Sequence, residues 1–274
     1  MKIFILDRRK YDIPSNPPLE FAKKMLEKVR GYDKIISIGG GSTIDVAKYI
    51  SFSLDIPHKA IPTTAGTGSE VTKYAVFIEN GKKFSMEDDA LIPDEYELKP
   101  ELLISLPSLH TVASGLDALS QAIESYWSPL STYESKKYSR KVIQIIMNGL
   151  LASYRDPENK ELRRAMLVAA NYSGRAINIT RTSICHAISY PLTVHYNIPH
   201  GIACASTLPI FIKLFKFKIV SAKKVKKLIT DLGIDRIDIL KKINKDIINE
   251  SFESSRVNNT PIKLTKEEVY KILL

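Results

Sequence analysis

The chain has 274 residues, 44% hydrophobic and 26% charged, with a formal net charge of +10, a balance ordinary for a globular protein of one large or two modest domains. No run approaches the ~18–20 consecutive apolar residues of a membrane span, and two cysteines, Cys185 and Cys204, provide neither a disulfide framework nor a CxxC pair. The opening "MKIFILDRRK" lacks the order of a secretory signal, so a cytoplasmic protein is expected.

In chain order, "KIFIL" (2–6) reads as a strand and "PPLEFAKKMLEKVRGY" (17–32) as a helix, with proline near its start and Gly31 near its end. "KIISIGGGS" (34–42) is a β-branched run that ends in glycines. "STIDVAKYISFSL" (42–54) has helical apolar spacing with Ser42 as N-cap. "KAIPT" (59–63) and "YAVFI" (74–78) read as further strands. Strand and helix in alternation predict parallel βαβ units.

Two loops in this half carry a ligand signal. Gly39, Gly40 and Gly41 lie between a strand and a helix, where bare backbone N–H groups and the helix dipole suit a phosphate. "TAGTGSEVT" (64–72) adds Gly66 and Gly68 among Thr63, Thr64, Thr67 and Ser69. Both loops follow strands, so in a parallel sheet both lie at carboxyl ends, where ligands bind. Together they point to a nucleotide or dinucleotide phosphate.

After "SLPSLH" (105–110) strand signals become scarce and long amphipathic stretches take over. A boundary is therefore expected near Pro107, with an α/β dinucleotide-binding unit over 1–107 and an all-helical metal and substrate unit over 108–274. Much of the positive charge falls late, in "KLFKFKIVSAKKVKKLITDLGIDRIDILKKINKD", at the spacing of a solvated helix face around an apolar stripe. With no zinc-finger spacing and no RNP-like aromatic motif, a nucleic-acid partner is not expected.

In "GLDALSQAIESY", Asp117 and Gln121 stand four apart on one helix face. "CHAISYPLTVHYNIPHG" holds three of the five histidines, His186, His195 and His200, with Tyr190 four residues after His186 and a break expected at Pro191. A metal needs such groups to converge from separate elements. Spacing alone does not show convergence, and a histidine beside a Pro-Gly turn is as readily structural.

With these segments in view, the chain resembles the iron-containing (group III) alcohol dehydrogenases, whose fold is dehydroquinate synthase-like. The likeness rests on "GGGSTIDVAK", "PTTAGTGSEVT", "LIPD", "SLP", "SGLDALSQAIESY" and "HYNIPHG", in that order, across Asn16 to Ser206, with a fainter trace in "NNTPIKLTKEEVYKIL". "KKFS", "GRAINITRTSICHAISYPLT" and "IPHG" look most like the phosphonoacetaldehyde reductase branch.

The resemblance implies a Rossmann-like parallel sheet followed by a helical domain. It places an NAD(P)H cofactor against Gly39, Gly40, Gly41, Ser42, Asp45, Thr63, Thr64, Thr67, Ser69 and Lys83. It implies a divalent metal, Fe2+ or Zn2+, on Asp117, His186 and His200, with the fourth position falling on Gln121, a neutral and weaker ligand than imidazole. Tyr190 and His195 are the catalytic candidates. Arg175 and Arg181 are the candidates for binding a phosphonate. The implied reaction is hydride transfer to a metal-polarised aldehyde, phosphonoacetaldehyde to 2-hydroxyethylphosphonate, in a homo-oligomer, dimeric or larger. "ILDRRKYD" offers both Asp7 and Arg8, Arg9 and Lys10 near the cofactor ribose, so NAD and NADP stay open. Measured against the family, "KIFIL" matches the second strand, the first being absent, and the C-terminal part is short. Two other readings remain: a reductase for another small alcohol or polyol, and a non-catalytic nucleotide-binding relative.

Overall fold

In the computed structural model, which describes residues 1–273, strands β1 (Ile3–Asp7), β2 (Lys34–Gly39) and β3 (His58–Pro62) are joined by helices α1 (Leu19–Val29) and α2 (Gly41–Leu54). The three strands pair in parallel with neighbouring register, and α1 packs against α2. The apolar spacing explains the elements: β2 buries alternate residues, and α1 buries Ala22, Met25, Leu26 and Val29 along one stripe. Gly31, at φ +85°, follows α1 and lets the chain turn back to the sheet.

The expected strand at 74–78 forms, but outside this sheet. β4 (Tyr74–Glu79) runs back on β5 (Lys82–Glu87) as an antiparallel hairpin, through Asn80 and Gly81, both at positive φ. An Asn-Gly pair between strands favours a tight hairpin turn, so β4 never crosses back to β3. Its Phe77 instead packs edge-on against Tyr49 of α2, ring centres 5.9 Å apart. The fourth parallel strand is the two-residue β6 (Glu95–Tyr96), giving the sheet order β1-β2-β3-β6.

From Ser108 the chain is helical: α3 (Ser108–Trp127), α4 (Tyr133–Arg155), α5 (Lys160–Thr180), α6 (Ile184–Tyr196), α7 (His200–Leu214), α8 (Ala222–Asp231), α9 (Arg236–Leu240), α10 (Lys245–Ser251) and α11 (Lys266–Leu273). α3 is the central helix, buried on all sides from Gly115 to Ser125 and packed on α4, α5, α6 and α7. α6 runs through Pro191 without a break and stops instead at Asn197, which takes the left-handed conformation. In α8 the lysines face water around buried Val225, Leu228 and Ile229, as their spacing predicts.

The buried apolar side chains gather into two clusters. One holds residues of the first ninety positions, from Phe4 to Leu91; the other runs from Leu103 to Leu273 and takes in Ala65 from the hydroxyl-rich loop. That loop is therefore pinned to the helical half. No helix among the described residues is long and apolar enough to cross a membrane.

Candidate active site

Both phosphate-type loops leave the carboxyl ends of neighbouring strands, β2 and β3, and they pack on one another. A Cβ at Gly41 would lie 2.8 Å from the Thr67 side chain, and one at Gly40 would lie 3.1 Å from Thr64. Glycine is what permits this approach of backbone to loop. Gly40 is the N-cap of α2 and offers no side chain to the first helical N–H groups. Those donors, with the dipole behind them, fit the pyrophosphate of a dinucleotide. Ser42 lies in this first turn, where its hydroxyl accepts the Asn16 N–H at 3.3 Å, and Thr63 donates its backbone N–H to the Gly39 carbonyl at 2.9 Å.

Two of the expected cofactor contacts brace the second loop. Asp45 is buried, accepting the Ser69 hydroxyl at 2.6 Å and the Val76 N–H at 3.0 Å. Asp45 and Ser69 thus fasten the second loop to α2 and β4, because their polar atoms are committed to each other. Burial raises the Asp45 pKa. Lys48, fully buried, supports the same loop by donating to the Thr72 and Tyr74 carbonyls, each at 2.7 Å, and burial pulls its ammonium down to about 8. At the end of β1, Asp7 is held by Arg9, whose guanidinium lowers its pKa.

The second constellation assembles around α3. Gly66 packs on Ser114 of α3, one turn before Asp117, so the hydroxyl-rich loop and the carboxylate are neighbours. A Cβ at Gly201 would lie 2.7 Å from Asp117 and closer still to the Ala113 carbonyl, so α7 rests directly on the backbone of α3. That contact brings His200, the first residue of α7, to Asp117. His186 arrives on α6. The Nε2 atoms of His186 and His200 lie 3.3 and 3.9 Å from Asp117 Oδ1.

Hydrogen bonds aim both rings. Glu124, two turns beyond Asp117 on α3, accepts the backbone N–H groups of Ser183 and Cys185 and pairs with His186 Nδ1. Nε2 is thereby the atom turned into the cluster, the arrangement of a ligand histidine backed by a carboxylate. The Ser189 hydroxyl donates to the His186 carbonyl at 2.8 Å, so its oxygen is left to accept Nδ1–H of His200 at 3.1 Å, and Nε2 is again the free atom.

The donors Asp117, His186, His200 and Cys204 lie within 4.8 Å of one another. A tetrahedral ion with bonds of about 2.0–2.3 Å separates its ligand atoms by roughly 3.3–3.8 Å, so this set fits a divalent metal. Gln121, one turn after Asp117 on α3, accepts the Ser173 hydroxyl of α5 on its Oε1 at 2.5 Å. Burial opposes charge on His186, yet Cys204, Glu124 and Asp117 raise its pKa well above the ordinary imidazole value. Burial, then the nearby cations Lys83 and Arg256 with His186, press His200 well below it. Burial likewise raises the Cys204 thiol.

Tyr190 stands beside the cluster, its ring centre 5.6 Å from that of His200, with Lys83 Nζ and the Arg256 guanidinium each 5.0 Å from its own ring. Burial pulls Lys83 down to about 8. Three other expected residues have partners of their own. His195, nine residues and two and a half turns after His186, faces the opposite side of α6 and pairs with Glu250 at 2.6 Å, half-exposed. Arg175 binds the Tyr96 hydroxyl at 2.9 Å and Asn171 at 3.0 Å, and Arg181 pairs with Glu87 at 2.7 Å. Cys204, Glu124 and Arg256 are the residues that sequence reasoning missed. Cys204 follows His200 by four and Glu124 follows Asp117 by seven, both same-face helical spacings, whereas only the tertiary fold brings Arg256 in.

Comparison with known proteins places the chain in a family. Residues 9–98 match the family described as iron-containing alcohol dehydrogenase, and residues 111–272 match the C-terminal family of the Fe-containing alcohol dehydrogenases. The chain is 33% identical over 226 residues to the phosphonoacetaldehyde reductase of Streptomyces viridochromogenes, covering 72% of this chain and 57% of that protein. It is 34% identical over 190 residues to the 4-hydroxybutyrate dehydrogenase of Clostridium kluyveri, covering 62% and 51%. It spans little more than half the length of these curated relatives. Among solved structures, the sulfoacetaldehyde reductase of Bifidobacterium kashiwanohense in complex with NAD+ superposes with a TM-score of 0.92 at 25% identity, over 99% of this chain and 90% of that one. The iron-containing alcohol dehydrogenase of Thermotoga maritima superposes with 0.80 at 29%, over 95% and 80%. The chain belongs to the iron-containing alcohol dehydrogenase family.

Proposed function

We propose that this protein is a metal-dependent oxidoreductase that reduces a two-carbon aldehyde bearing a tetrahedral anion, with phosphonoacetaldehyde the first choice, using NAD(P)H. The observation that carries this reading is the convergence of Asp117, His186, His200 and Cys204 one helical turn from the point where the hydroxyl-rich loop meets α3. When bound, the ion polarises the aldehyde oxygen and the nicotinamide supplies hydride. Gly39, Gly40, Gly41 and Ser42, with Thr63, Thr64 and Thr67 facing them, anchor the pyrophosphate. Asp45 and Ser69 hold that second loop in place. Tyr190, its ring 5.6 Å from that of His200, is the proposed proton donor to the product oxygen.

Two relatives bear on the substrate: one is named for phosphonoacetaldehyde and the other for sulfoacetaldehyde. Lys83 and Arg256, both against the Tyr190 ring, are the cations proposed to hold such a head group, since Arg175 and Arg181 already bind Tyr96 and Glu87. The two separate apolar clusters support a boundary between an α/β and a helical unit near Pro107. The test is NADH and NADPH oxidation by the metal-loaded protein with phosphonoacetaldehyde, sulfoacetaldehyde and propanal. The reading predicts the highest kcat/KM for one of the two anionic aldehydes. Equal turnover of propanal would leave a general aldehyde reductase, and no turnover of any would overturn the proposal.

A further inference from the structure

We infer that the thiolate of Cys204, not the amide of Gln121, is the fourth protein ligand of the divalent ion, and that this sulfur biases the site towards zinc. The inference rests on the reading of this cluster as a metal centre but is independent of the substrate. Gln121 has the right spacing on α3, one turn after Asp117, but its amide oxygen is drawn towards α5 by the Ser173 hydroxyl at 2.5 Å. Cys204 lies one turn after His200 on α7, fully buried, with Sγ 3.8 Å from His200 Nε2. That distance, with the 3.3 and 3.9 Å separating Asp117 from the two imidazoles, is close to the ligand spacing around one tetrahedral ion on three of its six edges.

Charge points the same way. Asp117 and a Cys204 thiolate would give the cation two negative ligands, whereas Asp117 with a neutral Gln121 would give it one, the Glu124 carboxylate standing behind His186. The thiol gives up its proton to solvent as the sulfur–metal bond forms. A thiolate in an otherwise nitrogen and oxygen set favours zinc over the harder Mn2+ and Fe2+. The other cysteine, Cys185, is on α6 and is not among the clustered donors.

The experiment is metal binding to full-length protein, wild type and the variants Cys204→Ser, Gln121→Ala and Cys185→Ala. Circular dichroism and thermal melts of each metal-free protein establish folding. Loading with Co2+ is expected to give a sulfur-to-cobalt charge-transfer band in the near ultraviolet for wild type, Q121A and C185A, and none for C204S. Zinc affinity is expected to fall by at least tenfold in C204S and by much less in Q121A. Independently of any variant, bound Zn2+ should protect Cys204 of the wild type from alkylation in peptide mass spectra. Metal binding without the sulfur band, an undiminished band in C204S, or equal losses in C204S and Q121A would overturn the inference alone. Failure of the wild type to bind any of these ions would overturn the metal-centre reading with it.

Discussion

Replacing Gly201 by alanine separates two effects of opposite sign. On helix propensity alone, alanine near the start of α7 stabilises by up to about 1 kcal/mol, since Gly201 has ordinary helical backbone. Packing opposes this. The new Cβ would lie 2.7 Å from both the Cβ and the N of Asp117, and closer to the Ala113 carbonyl, where ordinary contact begins near 3.4 Å. The neighbours are backbone of the central helix and cannot rotate away, so α7 must retreat by at least about 0.7 Å. Overpacking of this kind costs about 1–3 kcal/mol, which outweighs the gain. The retreat also carries His200 from Asp117, and ligand positions tolerate only about 0.2 Å. G201A is therefore expected to melt at a lower temperature than wild type and to bind Zn2+ at least tenfold more weakly by competition with a chromophoric chelator. A variant as stable as wild type with unchanged zinc affinity would refute the claim that the contact between α7 and α3 sets the metal geometry.

Gly41→Ala is expected to weaken NADH binding about tenfold by fluorescence titration while zinc content is unchanged, because its Cβ strikes Thr67 and pushes the two loops apart; equal losses of NADH and zinc would contradict a separate cofactor cradle. Lys83→Met and Arg256→Met are each expected to raise KM for an anionic aldehyde about 10- to 100-fold and leave propanal unaffected, the loss of a charge-assisted bond; the same shift in R175A or R181A instead would return the head group to those arginines. His58 is buried with Nε2 2.8 Å from the Ser37 hydroxyl and Nδ1 unpartnered, and burial, with Lys48 nearby, lowers its pKa to about 3. The unfolded chain therefore binds the extra proton between about pH 6.5 and 3, so this residue's contribution is intact above that window and stability falls as pH drops through it. Urea unfolding of wild type should lose about 1.4 kcal/mol per pH unit more than His58→Gln between pH 6 and 5; parallel pH profiles would show that His58 is protonated in the fold.

β2 and α1 were legible because each buries one face, which imposes period 2 or 3.6 on the chain, whereas α2 and β3, buried more fully, were bounded by the glycines and turn residues around them. The hairpin at β4 and β5 had its signal too, in Asn80-Gly81, but a run such as "YAVFI" looks alike in a parallel and an antiparallel strand. β6 is two residues long and has no period to read. Asp117, His186 and His200 were found through motif likeness, and the fold brings them together. Cys204 was harder to see as a donor, since only the seating of α7 on α3 brings it to Asp117, His186 and His200. His195 could not be set aside by helical phase from the sequence, because a break was expected at Pro191; the continuous α6 turns it away from His186. Arg256 reaches the site across the 180–183 loop, its Nε donating to Thr182 at 3.0 Å, and no spacing rule joins residues so far apart in sequence.

The most direct measurement follows one hydrogen atom. Phosphonoacetaldehyde, or the anionic aldehyde that proves best, is reduced with nicotinamide cofactor deuterated at C4, using zinc-loaded protein and protein stripped with a chelator, and the alcohol is read by mass spectrometry. One deuterium on the carbinol carbon from the loaded protein, and no product from the stripped protein until metal is restored, is the expected result. Unlabelled alcohol, or labelled alcohol formed equally without metal, would contradict a metal-centred hydride transfer at Asp117, His186 and His200.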